Sequence, residues 1–222
     1  IHPDQALPMI ERYFGGIPSQ PPPGRVRTVE PEQRGERRVD VEFDAEPMVF
    51  LGYHKPAIDD PDQYVLDILQ SLLSEGRTSR LYKSLVLEKQ IAVQAKAYAA
   101  PDKYPGLFIF VLVPRSPYTA AELLTAFDAE MEKMITEPVE ANELQKVKNR
   151  LRVDFIRGLE TNEGLADKIA YYEALYRWEY VNTLLENWEA ITQADVQRVA
   201  AKYFLRSNRT VAQLVKPEGG KE

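Results

Sequence analysis

The chain has 222 residues, 44% hydrophobic and 28% charged, which suits one large globular domain or one domain with a piece of another. A formal net charge of -6 without any Lys/Arg-rich run argues against nucleic acid as a partner. The absence of cysteine excludes disulfides, thiolate metal sites and thiol nucleophiles, and no apolar run is long enough for a membrane span.

In chain order, Asp4 to Phe14 is predicted as a short helix, with Asp4 as its cap, Leu7, Ile10 and Phe14 on one face, and Gly15-Gly16 as its stop. It is too short to be stable alone. Residues 1–16 are therefore expected to be the remnant of a preceding domain. Residues 17–36 follow as a linker stiffened by S-Q-P-P-P-G. Arg37 to Phe43 alternates Val39, Val41 and Phe43 with acidic residues, the pattern of a half-buried strand. Met48 to Tyr53 is a nearly continuous apolar run, so a more central strand is expected, paired with the first in a hairpin.

Asp60 as N-cap and Pro61 at the first helical position open a helix. Its stripe is Tyr64, Val65, Ile68, Leu69, Leu72 and Leu73, and Gly76 stops it. Ser79 is predicted to cap a short helix carrying Leu81, Leu85 and Val86. From Ile91 the period falls to two, placing Ile91, Val93, Ala95 and Ala97 on one strand face. Leu107 to Val113 is a further apolar strand. Thr119 and Glu122 form a capping box for a long helix with Leu123, Leu124, Phe127, Met131 and Met134 inward. More helices follow: one with Leu144, Val147, Leu151 and Phe155, then Leu165–Tyr176, Tyr180–Glu189, and one opened by Thr192 and Asp195. Thr210 to Val215 is a closing strand, and 218–222 is a polar tail. This order predicts an α+β fold, a largely antiparallel sheet covered by helices.

Motifs of catalysis are missing. The two histidines, His2 and His54, belong to no H-x-x-E-H, H-x-x-x-H or H-x-x-E pattern, and a catalytic zinc needs about three protein ligands. The Asp59-Asp60-Asp62 cluster lacks the spacing of a calcium loop and is better explained by helix capping. No G-x-S-x-G and no phosphate-binding glycine loop occurs. Glu140 and Glu143 suit a helix N-terminus. Lys146, Lys148, Arg150 and Arg152 read as a solvated helix flank, and Trp178, Tyr180 and Trp188 as core or interface aromatics.

Several stretches carry a family likeness: P-M-V-F-L-G-Y-H-K-P-A, D-P-D-Q-Y-V-L-D-I-L-Q-S-L-L-S-E-G and S-R-L-Y-K-S-L-V-L-E-K-Q-I-A. Downstream come N-R-L-R-V-D-F-I-R-G-L-E-T-N-E-G-L-A, I-T-Q-A-D-V-Q-R-V-A-A-K-Y-F and N-R-T-V-A-Q-L-V-K-P. Together, over Val39 to Pro217, they resemble the C-terminal domain of the pitrilysin/insulinase-like zinc metallopeptidases, a family that includes mitochondrial processing peptidase. P-D-Q-A-L-P-M-I-E-R-Y-F-G-G-I-P resembles the last helix of that family's N-terminal domain.

The resemblance implies a two-layer sandwich, one half of a clamshell with the processing-peptidase-like metallohydrolase fold. Residues 37–217 would be the C-terminal substrate-chamber domain. Its partners would be a peptide substrate and a homologous N-terminal domain or partner subunit, which would hold the zinc, with no metal ligand and no catalytic residue in this chain. Family members grip substrate with an arginine and, seven residues later, a tyrosine. The matching positions here are Val86 and Val93. Arg80 and Tyr82 lie nearby at the wrong spacing. Losing one charge-assisted hydrogen bond of ~1.5–3 kcal/mol corresponds to about tenfold to a hundredfold in rate. The expected function is the substrate-chamber half of a zinc-dependent metallopeptidase. The alternative is half of a non-catalytic homologous subunit that assembles with an active one. On either expectation this chain alone neither binds catalytic zinc nor hydrolyses peptides, and the expected compartment is the bacterial periplasm.

Overall fold

A computed structural model describes residues 2–216 apart from 22, 23, 25 and 27; the predicted polar tail lies outside the described residues. The chain divides into two compact units, Ile1–Glu32 and Gln33–Glu222. The first holds helix α1 (Pro3–Phe14), which starts one residue before the expected cap. His2 is the N-cap, without a side-chain bond, and Asp4 lies in the first turn, where its charge suits the helix dipole. Leu7, Ile10 and Phe14 are all exposed.

The second unit is built on five strands: β1 (Arg37–Glu42), β2 (Met48–Lys55), β3 (Ala92–Tyr98), β4 (Gly106–Pro114) and β5 (Arg209–Val215). Their order across the sheet is β1-β5-β2-β4-β3. Only β1 runs parallel to its neighbour; the other pairings are antiparallel. The expected β1–β2 hairpin does not form. The closing strand β5 inserts between them, so that Ala212 faces Phe50 on one side and Val39 on the other. All six residues of β1 are exposed, against the expected half-buried strand, because it is an edge strand and buries neither face.

The helices are α2 (Asp62–Ser74), α3 (Ala120–Thr136), α4 (Ala141–Gly158), α5 (Asn162–Leu175), α6 (Tyr180–Ala190) and α7 (Gln193–Tyr203), with a π-helical segment, Tyr82–Glu88, between α2 and β3. The core lies between the helices and one sheet face. Val49, Leu51 and Tyr53 of β2 and Phe108, Phe110 and Leu112 of β4 are buried there, with the α2 stripe Val65, Ile68, Leu69 and Leu72. Phe110 meets Phe127 edge-on with centroids 4.9 Å apart, and Phe204 meets Tyr53 at 5.3 Å; such pairs add ~0.5–1.5 kcal/mol beyond their area. Both expected capping boxes are present, Thr119 with Glu122 and Thr192 with Asp195.

The start of α2 departs from expectation. Pro61 takes the N-cap and the helix begins at Asp62, whose N–H donates to Asp60 Oδ1 at 2.8 Å. Asp62 itself is 5% exposed and ties α2 to α7. It accepts from Arg198 Nη1 at 2.8 Å, Lys202 Nζ at 2.7 Å and the Tyr203 hydroxyl at 3.0 Å. Burial pushes its carboxyl up, but these donors outweigh that and hold it below the usual range. A second ion cluster closes the sheet end: buried Arg209 donates to Asp128 through both Nη atoms, to Glu36 Oε2 at 2.6 Å and to the Tyr53 hydroxyl at 3.1 Å.

Candidate functional site

The stretch Gly76 to Tyr98 joins α2 to β3. Gly76 has φ +75°, a left-handed conformation open to glycine, and the Arg150 guanidinium lies where a Cβ would stand, 2.7 Å away. Ser79 does not cap the next helix; its Oγ donates back to the Gly76 carbonyl at 2.8 Å and closes the turn. Arg80 forks onto Glu143 of α4, Nε to Oε1 at 3.0 Å and Nη2 to Oε2 at 2.7 Å.

The following segment is wider than an α-helix: the Lys89 N–H bonds the Ser84 carbonyl, five residues back. Leu81 and Leu85 anchor it in the core. On its flank Glu130 of α3 accepts from Ser84 Oγ at 2.7 Å, Lys89 Nζ at 2.9 Å and Lys133 Nζ at 3.0 Å. Burial raises the Glu130 carboxyl, and the three donors bring it below its ordinary value. Gln90, at φ +53°, ends the segment.

The two positions matched by resemblance to the family's arginine and tyrosine part company here. Val86 is 8% exposed and belongs to the core. Val93 is 58% exposed, although the period-two pattern places it with buried Ala95 and Ala97. A bulge between Ala92 and Gln94 turns Val93 outward and Ala92 inward. Neither valine offers a hydrogen bond to a substrate backbone.

The sheet face opposite the helices is open and largely apolar. Register sets Val111, Phe50, Ala212 and Val39 in one row across four strands, with Lys96 at the edge. Leu107 folds over Gly52, where a Cβ would stand 3.1 Å from its Cδ1. Phe50, Leu107 and Val39 are exposed and Val111 is half-buried.

The basic flank of α4 is not simply solvated. Lys148 is buried and donates to the Glu189 carbonyl at 2.6 Å, and Arg150 Nη1 donates to the Glu75 carbonyl at 2.5 Å. His54 is half-buried, with Nε2 3.2 Å from Gln33 Oε1. Among the described residues no three His, Cys, Asp or Glu side chains come together to hold a metal ion, so the residues present do not fit a zinc site.

Sequence reasoning missed a buried polar chain under α2. Lys55 Nζ donates to Gln63 Oε1 at 3.2 Å and pairs with Asp102 at 2.9 Å. Gln63 Nε2 donates to Asp67 Oδ1 at 2.9 Å, and Trp188 Nε1 donates to Asp67 Oδ2 at 3.0 Å. Asp67, half-buried between buried Leu66 and Ile68 of α2, is the one sequence signal for it.

These features define a two-layer α+β domain with an open apolar sheet face and no metal-holding group among its described residues. Comparison with known proteins specifies the family. The family model described as the peptidase M16 inactive domain matches residues 1–151. Zinc protease PqqE of Helicobacter pylori is 31% identical over 183 residues, 82% of this chain and 41% of that protein. Subunit 2 of the mitochondrial cytochrome b-c1 complex of Rattus norvegicus is 25% identical over 182 residues, 78% of this chain and 38% of that protein. The crystal structure of a protease from Helicobacter pylori matches with a TM-score of 0.90 and 27% identity, over 98% of this chain and 53% of that one. In fold alone, the periplasmic protease PqqL of Escherichia coli matches with a TM-score of 0.73 and 16% identity, over 98% of this chain and 24% of that one. The chain belongs to the M16 family of zinc peptidases, as its inactive C-terminal domain. It spans about two fifths of the length of the curated relatives it matches.

Proposed function

We propose that the chain is the substrate-chamber half of a zinc-dependent metallopeptidase, with the zinc held by a homologous half that faces it and a peptide bound between them. In this reading residues 1–16 end the preceding domain, 17–36 connect, and 37–217 form the chamber wall. The observation that carries it is the open sheet face: Phe50, Val39 and Leu107 stay exposed, while β2 and β4 bury Val49, Leu51, Tyr53, Phe108, Phe110 and Leu112 under the helices on the other face. An apolar wall of this kind suits an extended peptide or a facing half. The bacterial periplasm is the compartment proposed with it, as named for one relative of the same fold.

The test is reconstitution. The chain alone is expected to take up no stoichiometric zinc and to cleave no peptide. Joined to or mixed with its zinc-bearing half, it is expected to restore hydrolysis that a chelator removes. Phe50→Asp on the open face is expected to lower that activity without unfolding the domain. Zinc uptake and chelator-sensitive cleavage by the chain alone would overturn the reading. A second reading, half of a non-catalytic subunit, is favoured by Val86 and Val93 in the grip positions. It requires that the whole protein cleave nothing until a separate active subunit is added; cleavage by the monomer rejects it.

A further inference from the structure

Between α2, the end of β3 and α6 lies a cavity of about 280 Å³. Its lining includes the carboxylates Asp67 and Glu75 and the rings of Tyr98, Tyr172, Tyr180 and Trp188. Both carboxylates have neutral partners: Asp67 accepts from Gln63 and Trp188, and Glu75 accepts from Gln70 Nε2 at 3.2 Å. The cation that reaches Asp67 through Gln63, Lys55, is paired with Asp102. The Tyr180 hydroxyl is buried in the same lining and is directed to Tyr64. It lies beside Tyr64, whose ring stacks on Tyr180 at 5.1 Å and whose own hydroxyl is engaged by Thr183 Oγ1 at 3.0 Å.

Two carboxylates with neutral partners and four aromatic rings around one space share a single complement. A positive charge on an apolar stem satisfies both: the charge pairs with Asp67 and Glu75, and the stem lies along the accessible parts of the rings. A metal ion would leave the rings unused, and an anion would meet two carboxylates. We propose that this cavity binds an organic cation, an alkylammonium or guanidinium group. Burial already drives the Asp67 carboxyl up to about 7, the arrangement that a bound cation relieves. The inference does not rest on the peptidase reading. The same group is offered by a lysine or arginine side chain of a peptide and by a free amine.

The chain has two tryptophans, so Trp178→Phe in the full chain leaves Trp188 as the sole reporter at the cavity. Butylammonium and butylguanidinium are titrated in amine-free buffer, with butanol as the neutral control. A saturable change in Trp188 fluorescence with a dissociation constant on the order of 1 mM or tighter is expected for the cations only. Asp67→Asn is expected to weaken binding at least ~10-fold and Glu75→Gln ~3-fold, the loss of one charge partner each. If Asp67→Asn unfolds, Glu75→Gln, with its helical circular dichroism retained, decides. Equal binding of butanol, no saturation, or unchanged affinity in a folded variant would overturn the proposal. A blocked peptide with one lysine that binds tighter than putrescine, and loses binding when that lysine is acetylated, assigns the source to peptides; the reverse order assigns it to free amines.

Discussion

Asp67 gives the sharpest test of the energetics. Burial raises its carboxyl from 3.8 to about 7, with the Trp188 and Gln63 hydrogen bonds opposing only part of the shift. A raised carboxyl means that the folded chain binds a proton that the unfolded chain has lost. Stability from this group is fully present below about pH 4 and is lost as the pH rises through about 7. Three pKa units correspond to at most ~4 kcal/mol. Carboxylates held below their ordinary values, Glu36, Asp62 and Glu130, act in the opposite sense and in a lower window, complete above the ordinary carboxylate range. Asp67→Asn removes the titration but leaves one acceptor for two donors, Gln63 Nε2 and Trp188 Nε1, a cost of ~1 kcal/mol. The variant is therefore expected to be less stable than the parent by under ~1 kcal/mol at pH 3.5, to cross it near about pH 4.5, and to be more stable at pH 8.5 by up to ~3 kcal/mol. Urea unfolding followed by circular dichroism in amine-free buffers measures both differences. A stability difference of the same sign and size at both pH values would refute the argument.

Three further substitutions test the pivot and the sheet end. Restoring the family's arginine by Val86→Arg is expected to cost ~3 kcal/mol or more in urea unfolding, because position 86 is core and offers the charge no partner, whereas Val93→Tyr at the exposed bulge should stay within ~0.5 kcal/mol. Gly76→Ala is expected to cost ~1 kcal/mol, from a positive φ and from displacement of Arg150, and a matching drop in thermal midpoint checks it. Arg209→Met takes the buried cation from Asp128 and Glu36, which keep Arg206 and, for Glu36, Arg38; a loss of ~2 kcal/mol is expected, and a change below ~0.5 kcal/mol would show that the remaining arginines replace it.

The sequence patterns that survived are the ones set by local chemistry. Threonine capping boxes, the α2 stripe and the apolar strands need only neighbours in the chain, and each was legible from spacing. What local pattern cannot hold is which strand lies beside which. The alternation in β1 is compatible with a hairpin, but β5, some 170 residues later, takes the place beside β2 and leaves β1 an exposed edge. Val93 failed for a related reason: one bulge residue inverts the alternation around it, and no residue type marks it. The Lys55–Gln63–Asp67–Trp188 chain spans three elements and is invisible until they pack. At the candidate site, Val86 and Val93 were identified by likeness; that one is buried and the other exposed came only with the fold.

If positions 86 and 93 match the family's arginine and tyrosine, that split separates the grip from the shape. The geometry of the pivot rests on other residues: the Gly76 turn closed by Ser79, the Arg80–Glu143 fork, Leu81 and Leu85 in the core, and Glu130 gathering Ser84, Lys89 and Lys133. Position 93 sits on the exposed bulge and contributes little to any of these. Position 86 borders the core, where a valine packs without the desolvation that an arginine must overcome. On the reading that these positions match the family's arginine and tyrosine, two valines remove polar groups without removing a structural contact, because the interactions that hold the pivot and the side chains at 86 and 93 are different atoms on the same short stretch.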